Sequence, residues 1–456
     1  MKKLLVTLPL GLLMIPLYVS AQTETPSAQN TQQSPETAFL AALSQVLQSQ
    51  SEDLYAVAAA VLQSGGTESD FFRFMNQACE SGNPVAQQWK AQQLLQTVAA
   101  AQADLVTSPD AVRAGGLMKA AANAGYVPAL VEMARYVGSG VGMAASEAEG
   151  LRYLMQACRS GSSRARAAYL LLSGRLNAGK FDAPEIASEL NKNNYHLEEV
   201  IASLYGDSPE ALDWLEKASA HGSPTAAFML GQSKLPSDEP AALALLKLAA
   251  ERHLPEALAT HGLIQMSQQS VNEGLRNLQL AFMLGYTPAA STLAAQFIRQ
   301  PEVYSPERVF ELYRLGDTLQ DARSSVAYAY CLVTGRGCAA APEKGVEMLR
   351  RLADAGSPYA NVALADLYFN GCGVEPNMMK AVNYLGEADA AGVPNAYVLM
   401  AALTQLGNAA APPDSRRAEL YLKMAVERGE QGVQQLFDAM IQEKEWHFLP
   451  LVGKKP

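Results

Sequence analysis

The sequence predicts an all-α protein, a solenoid of stacked two-helix hairpins. Three observations carry that expectation. A phrase of small residues, glycine and proline returns along the chain. Its last copies keep an even spacing: Gly356, Gly392 and Gly429 lie 36 and 37 residues apart. No run of alternating β-branched residues bounded by turns occurs in the 456 residues. A fixed period in this range marks supersecondary units that bury their apolar faces against one another.

The phrase reads ACESGNPVAQQ at Ala78–Gln88, AANAGYVPALVEMA at Ala121–Ala134 and ASAHGSPTAAFML at Ala218–Leu230. It returns as LADAGSPYANVALADLY at Leu352–Tyr368 and ADAAGVPNAYVLMA at Ala388–Ala401. Gly82, Gly125, Gly161, Gly222, Gly285, Gly356, Gly392 and Gly429 are expected to end helix A in the left-handed conformation, which costs glycine least. The following prolines, among them Pro84, Pro224, Pro358 and Pro394, should open helix B, where a missing N–H does no harm. Asn83, Ser223 and Ser357 stand between them as N-caps. His253 takes the glycine place in AERHLPEAL (Ala250–Leu258) and reads as an exposed left-handed residue. A second signal closes helix B. The pairs Gly138/Gly140, Gly335/Gly337 and Gly371/Gly373 read as tight turns into the next unit.

From Gly356 to Gly392 the chain resembles the Sel1-like repeat family, a branch of the tetratricopeptide-like solenoids. The resemblance rests on Gly356, Ala360, Leu367, Tyr368, Gly371, Gly373, Val374, Asn377, Lys380, Ala381, Tyr384, Ala388 and Gly392. Asn377 stands where that family usually has aspartate, and Leu385 replaces a second aromatic residue. The likeness is specific over residues 321–432 and readable over 208–297 and 71–176. Residues 177–207 have helical periodicity without the glycine phrase, and read as one degenerate unit or a break. The resemblance implies a right-handed α/α superhelical solenoid. It also implies a non-enzymatic adaptor that binds a protein or peptide in its concave groove. In such solenoids helix A lines that groove, so Arg276, Arg314, Arg350 and Arg351 are the candidate partner-binding residues. The competing reading is a solvated face with ordinary ion pairs. Some cysteine-containing members are associated with β-lactam hydrolysis or binding, so an envelope hydrolase is the alternative function.

Lys2 and Lys3, the apolar stretch Leu4–Val19 and the small residues Val19-Ser20-Ala21 read as a cleavable signal peptide over 1–21. A polar linker follows over 22–36, then repeats over 37–176, the degenerate segment 177–207, a repeat array with a capping helix over 208–440, and a tail over 441–456. Export to the periplasm or beyond is the expected destination. That compartment permits disulfides. Of the five cysteines, Cys331, Cys338 and Cys372 cluster in adjoining units and read either as one bridge, from Cys338 to one of its neighbours, or, like Cys79 and Cys158, as small buried apolar residues; the odd count leaves at least one thiol free.

The formal net charge is −10, from 35 basic and 45 acidic residues, and no basic stripe interrupts it. That argues against nucleic acid as a partner. No segment beyond the leader is long and apolar enough to span a bilayer. There is no HExxH, GxSxG, phosphate-loop or CxxC motif, so no catalytic, cofactor or metal residue is assigned. His253 and His261 are eight residues apart but belong to a turn and to the body of helix B, on different surfaces. Tyr328, Tyr330, Tyr359 and Tyr368 recur at repeat positions and read as packing residues.

Overall fold

The computed structural model describes residues 54–442, apart from 102, 177–180, 182, 207, 236 and 431. The expected signal peptide, linker and most of the C-terminal tail lie outside the described residues. Among the described residues the chain forms 23 helices and no strand. The described residues divide into two compact units, one up to Ala289 and one from Ala290 on.

In the first unit α1 (Leu54–Gln63) precedes the hairpins α2–α3 (Glu68–Glu80, Pro84–Ala100), α4–α5 (Pro109–Asn123, Val127–Ser139) and α6–α7 (Glu147–Arg159, Ser163–Leu172). Then come α8–α9 (Pro184–Leu190, Tyr195–Tyr205), α10–α11 (Pro209–Ala220, Pro224–Lys234), α12–α13 (Glu239–Glu251, Pro255–Ser267) and α14 (Val271–Met283). The second unit holds nearly all of α15 (Ala289–Ile298). Its hairpins are α16–α17 (Pro306–Thr318, Ala322–Thr334), α18–α19 (Pro342–Asp354, Pro358–Asn370), α20–α21 (Met378–Ala390, Ala396–Leu406) and α22–α23 (Ser415–Glu427, Val433–Gln442).

One turn joins helix A to helix B everywhere. At Gly356 the φ is +88°, its N–H donates to the Ala353 carbonyl (2.8 Å), and the Ser357 N–H donates to Leu352 (2.9 Å). These two bonds satisfy carbonyls that the end of α18 would leave unpaired. The same pair of bonds recurs at each of the other glycines of the phrase. It also recurs at Asn193, His253 and Gln320, with φ of +55°, +63° and +60°. His253 is not simply exposed as expected: it is half-buried, and its ring stacks on Tyr55 with centroids 3.4 Å apart. Asn83 and Ser223 cap their helices through their side chains, accepting from Ala86 (3.1 Å) and Ala226 (2.9 Å). Ser357 occupies the cap position without a side-chain bond, and Pro394 stands ahead of α21 rather than opening it.

The turn after helix B differs from expectation in its first copy. Gly138 lies inside α5, and the left-handed pair there is Gly140/Gly142, equivalent to Gly335/Gly337 and Gly371/Gly373. The first glycine of each pair caps helix B. The second lies where the chain passes over the preceding helix A. A Cβ at Gly337 would run into the Pro306 carbonyl oxygen, and one at Gly142 into that of Ala111.

The two helices of a hairpin are unequal. Ten of the 13 residues of α19 are buried, whereas α18 buries only Gly345, Val346 and Leu349. A helix apolar all round must be enclosed, and α19 packs against both α18 and α20. No hairpin therefore owns its core. In the terminal hairpin, α22 is charged, yet it leaves Leu420 and Val426 more than 60% exposed beside α23.

Two features had no counterpart in the repeat pattern. Within the degenerate segment, α8 and α9 form a hairpin, but its helix A, α8, has only seven residues. Here α7 and α9, both B helices, touch directly, as α17 and α19 also do. The first unit also closes on itself: α1 and α2 pack on α14. Phe72 meets Phe282 (5.2 Å between centroids), Gln279 donates to Glu68 (2.7 Å) and Gln96 donates to the Gly285 carbonyl (3.4 Å).

The bridge read at Cys338 is absent. Its sulfur lies 3.5 Å from the Cys331 carbonyl oxygen, and Cys79, Cys158, Cys331 and Cys338 are thiols. Burial pushes the Cys331 thiol up to about 12, so it is a packing residue rather than a nucleophile.

The two glycine roles separate by mutation. Gly356→Ala meets open space and carries only the strain of positive φ, about 1–2 kcal/mol. Gly337→Ala adds a backbone collision, so its melting temperature should fall clearly further. Equal falls would contradict the close-approach role.

Candidate functional site

The four arginines singled out in sequence all lie on A helices and are exposed. Arg276 belongs to the first unit, on α14. Arg314 is held by Glu311 through two bonds of 2.6 and 2.7 Å, and Arg351 lies 3.9 Å from Glu347. Both are therefore ordinary ion pairs of the helix surface, worth little. Arg350 is different. It donates to the Tyr368 hydroxyl (2.9 Å), Lys380 lies 5.0 Å from the Tyr368 ring centre, and Tyr384 stacks on that ring at 5.7 Å. Three successive helices, α18, α19 and α20, thus build one cation–aromatic patch.

The other tyrosines divide. Tyr330 is enclosed and donates to Asp366, which also accepts from Asn370 (2.7 Å). Tyr359 takes the Arg323 guanidinium over its ring at 5.2 Å. Among the described residues no group of three or more histidine, cysteine, aspartate or glutamate side chains that could hold a metal ion assembles.

The most unusual chemistry lies around the short helix α8, and the sequence reading missed it. Nine of the buried polar residues fall between Glu132 and Ser223: Glu132, Arg164, Glu189, Asn194, His196, Glu198, Glu199, Ser219 and Ser223. Glu132, on α5, is 2% exposed. It accepts from Arg164 on α7 (2.7 Å) and from Arg135 one turn along (3.0 Å). On α9, Glu198 accepts from His221 (2.8 Å), while Glu199 accepts from Ser223 and faces His196 Nδ1 at 3.5 Å. Glu189, at the end of α8, accepts from Arg166 (2.9 Å), Lys192 (2.8 Å) and Asn194 (3.1 Å). Burial opposes its ionisation, but those hydrogen bonds outweigh it and hold the carboxyl below its ordinary value.

A cavity of about 80 Å³ lies between α5, α6, α7 and α9. Val131, Ala134, Leu154, Ala167, Leu171 and Val200 wall it together with the polar residues Glu132, Arg135, Glu147, Arg164, His196 and Glu199. Burial lowers the His196 pKa, which keeps the imidazole neutral. Two buried atoms of these residues, Arg135 Nη2 and His196 Nε2, have no hydrogen-bond partner. Leaving such groups unpaired costs about 1–3 kcal/mol each. The available sequence signal was three interruptions of apolar B helices: Glu132 in ALVEMA, Arg164 and Arg166 in SRARAAYLLL, and His196 to Glu199 in HLEE.

The Sel1 repeat family model matches residues 127–162, 203–223, 225–253, 322–357, 358–391 and 394–430. An uncharacterised protein of Neisseria meningitidis serogroup B is 24% identical over 227 residues. That match takes in 48% of this chain but only 40% of the relative. Among solved structures, a protective antigen of uropathogenic Escherichia coli with an SLR fold aligns at a TM-score of 0.44 and 15% identity, over 89% of this chain and 94% of that one. A Sel1 repeat protein of Oxalobacter formigenes aligns at 0.26 and 18%, over 94% and 99%.

Two measurements check the buried cluster. Glu132→Leu strands Arg164, and should cost about 3–5 kcal/mol, while Glu132→Leu with Arg164→Leu should recover most of it. A double variant no better than the single would refute the pairing. His196 is neutral when folded, so the unfolded chain binds a proton that the folded one does not. Melting temperature should therefore fall as pH drops below about 6.5. His196→Gln should flatten that slope, and an unchanged slope would show that another group sets it.

Proposed function

This chain carries six Sel1 repeats, and from that premise we propose that it is a non-enzymatic adaptor of the bacterial envelope which holds a protein or peptide partner. The repeat match is the observation that supports the reading, because Sel1 repeat proteins are generally protein-interaction scaffolds. The A helices offer the surface. They expose long polar side chains over a backbone held rigid by the enclosed B helices. Within that surface Arg350, Lys380 and Tyr384 sit over the buried Tyr368 and have the composition of an interface anchor, arginine and tyrosine on a fixed support.

The envelope part of the reading is supported by Lys2, Lys3, the Leu4–Val19 stretch and the small residues ending at Ala21. No helix among the described residues is long and apolar enough to cross a membrane.

The test is a crosslinked affinity capture from the native envelope fraction with the processed chain as bait. One or a few proteins should be retained, and Arg350→Glu with Tyr384→Ala should reduce their yield at least tenfold. Retention unaffected by the double variant would remove the patch from the interface. Mass spectrometry of the exported chain should find Gln22 at its N-terminus. An unprocessed chain in the cytoplasm would overturn the compartment.

A further inference from the structure

The cavity beneath α6 is a built site rather than a packing fault. Its walls are largely aliphatic, and the polar side chains among them are themselves tied down. Both Glu132 oxygens are occupied, by Arg164 and Arg135, and both Glu199 oxygens face a partner, Ser223 and His196. Two functions remain unsatisfied, and each has a defined sense. Arg135 Nη2 can only donate. His196 is 4% exposed and turns Nδ1 toward the Glu199 carboxylate at 3.5 Å, an arrangement that favours the tautomer with the proton on Nδ1 and a lone pair on Nε2. The lining of this largely apolar cavity thus includes one unsatisfied donor and one unsatisfied acceptor.

From this arrangement we infer that the cavity binds a small neutral aliphatic molecule or side chain with a head group that both donates and accepts, a primary amide or an alcohol. The carbonyl or hydroxyl oxygen accepts from Arg135 Nη2, and the N–H or O–H donates to His196 Nε2. A carboxylate fits less well, since it has no proton for Nε2 and would lie close to the Glu199 charge. Size sets the class as well. At about 10–15 Å³ per water-sized sphere, 80 Å³ holds a head group and three or four carbons, not a drug-sized ligand. The site is independent of the protein-binding surface proposed above, which lies in the other unit.

The experiment titrates the processed full chain with isobutyramide and, separately, with isobutyrate, following ligand-observed NMR and the His196 imidazole nitrogen shift. Isobutyramide should saturate in the low millimolar range and move the His196 Nε2 resonance. Isobutyrate should bind at least tenfold more weakly. Arg135→Ala and His196→Leu should each weaken the amide at least fivefold while helicity by circular dichroism is kept. The amide–carboxylate comparison needs no variant, so a misfolded His196→Leu does not rescue the proposal. Equal binding of the two ligands, or no amide binding up to 50 mM on the order of solubility limits, overturns it. So does a crystal structure soaked in the amide that shows ordered water alone on both nitrogens. Binding only by a peptide that presents glutamine or asparagine would place the same chemistry on a partner's side chain.

Discussion

The fold depends on one backbone event: a residue held at positive φ where helix A gives way to helix B. At that point two N–H groups turn back onto carbonyls that the helix end would otherwise leave bare, as Gly356 and Ser357 do onto Ala353 and Leu352. The reversal is tight enough to lay helix B along its own helix A. It also aims helix B at the helix A of the next unit, so the apolar surface of α19 is covered from both sides. Everything else in the architecture, from the enclosed B helices to the half-exposed A helices, follows from repeating that turn.

The turn explains how much of the fold was legible. Where glycine fills the left-handed position the hairpin could be read directly, as at Gly82, Gly222 and Gly392. Where Asn193 or Gln320 fills it, the same hydrogen bonds form at a residue whose identity signals nothing. The hairpin α8–α9 was further masked by its seven-residue first helix. The closure of the first unit was invisible for another reason. It pairs Glu68 with Gln279 and Tyr55 with His253, residues brought together by the accumulated curvature of the hairpins between them rather than by any local pattern.

The candidate sites show the same division. Arg350 could be found because helix A positions are predictable, but the hydroxyl of Tyr368 that fixes it comes from a neighbouring helix. The pairing of Arg314 and Arg351 within their own helices could not be told from sequence without side-chain directions. The buried cluster around Glu132 and His196 was overlooked because its members are spread over three B helices. There α7 and α9 touch directly, and Arg164, His196 and Glu199, polar groups on those helices, are buried. A protein keeps such a departure from its own repeat rule at a stability cost, and departures of this kind concentrate where function is lodged.

The central claim is that no hairpin possesses a core of its own. It is tested most directly by the α18–α19 hairpin, Pro342–Asn370, made as a separate chain and examined by circular dichroism. Detached from α17 and α20, it has nothing to cover the outer faces of α19, and helices of this length are marginal in water. The account predicts a spectrum with little helix and no cooperative melting transition. A folded, cooperatively melting hairpin would contradict it.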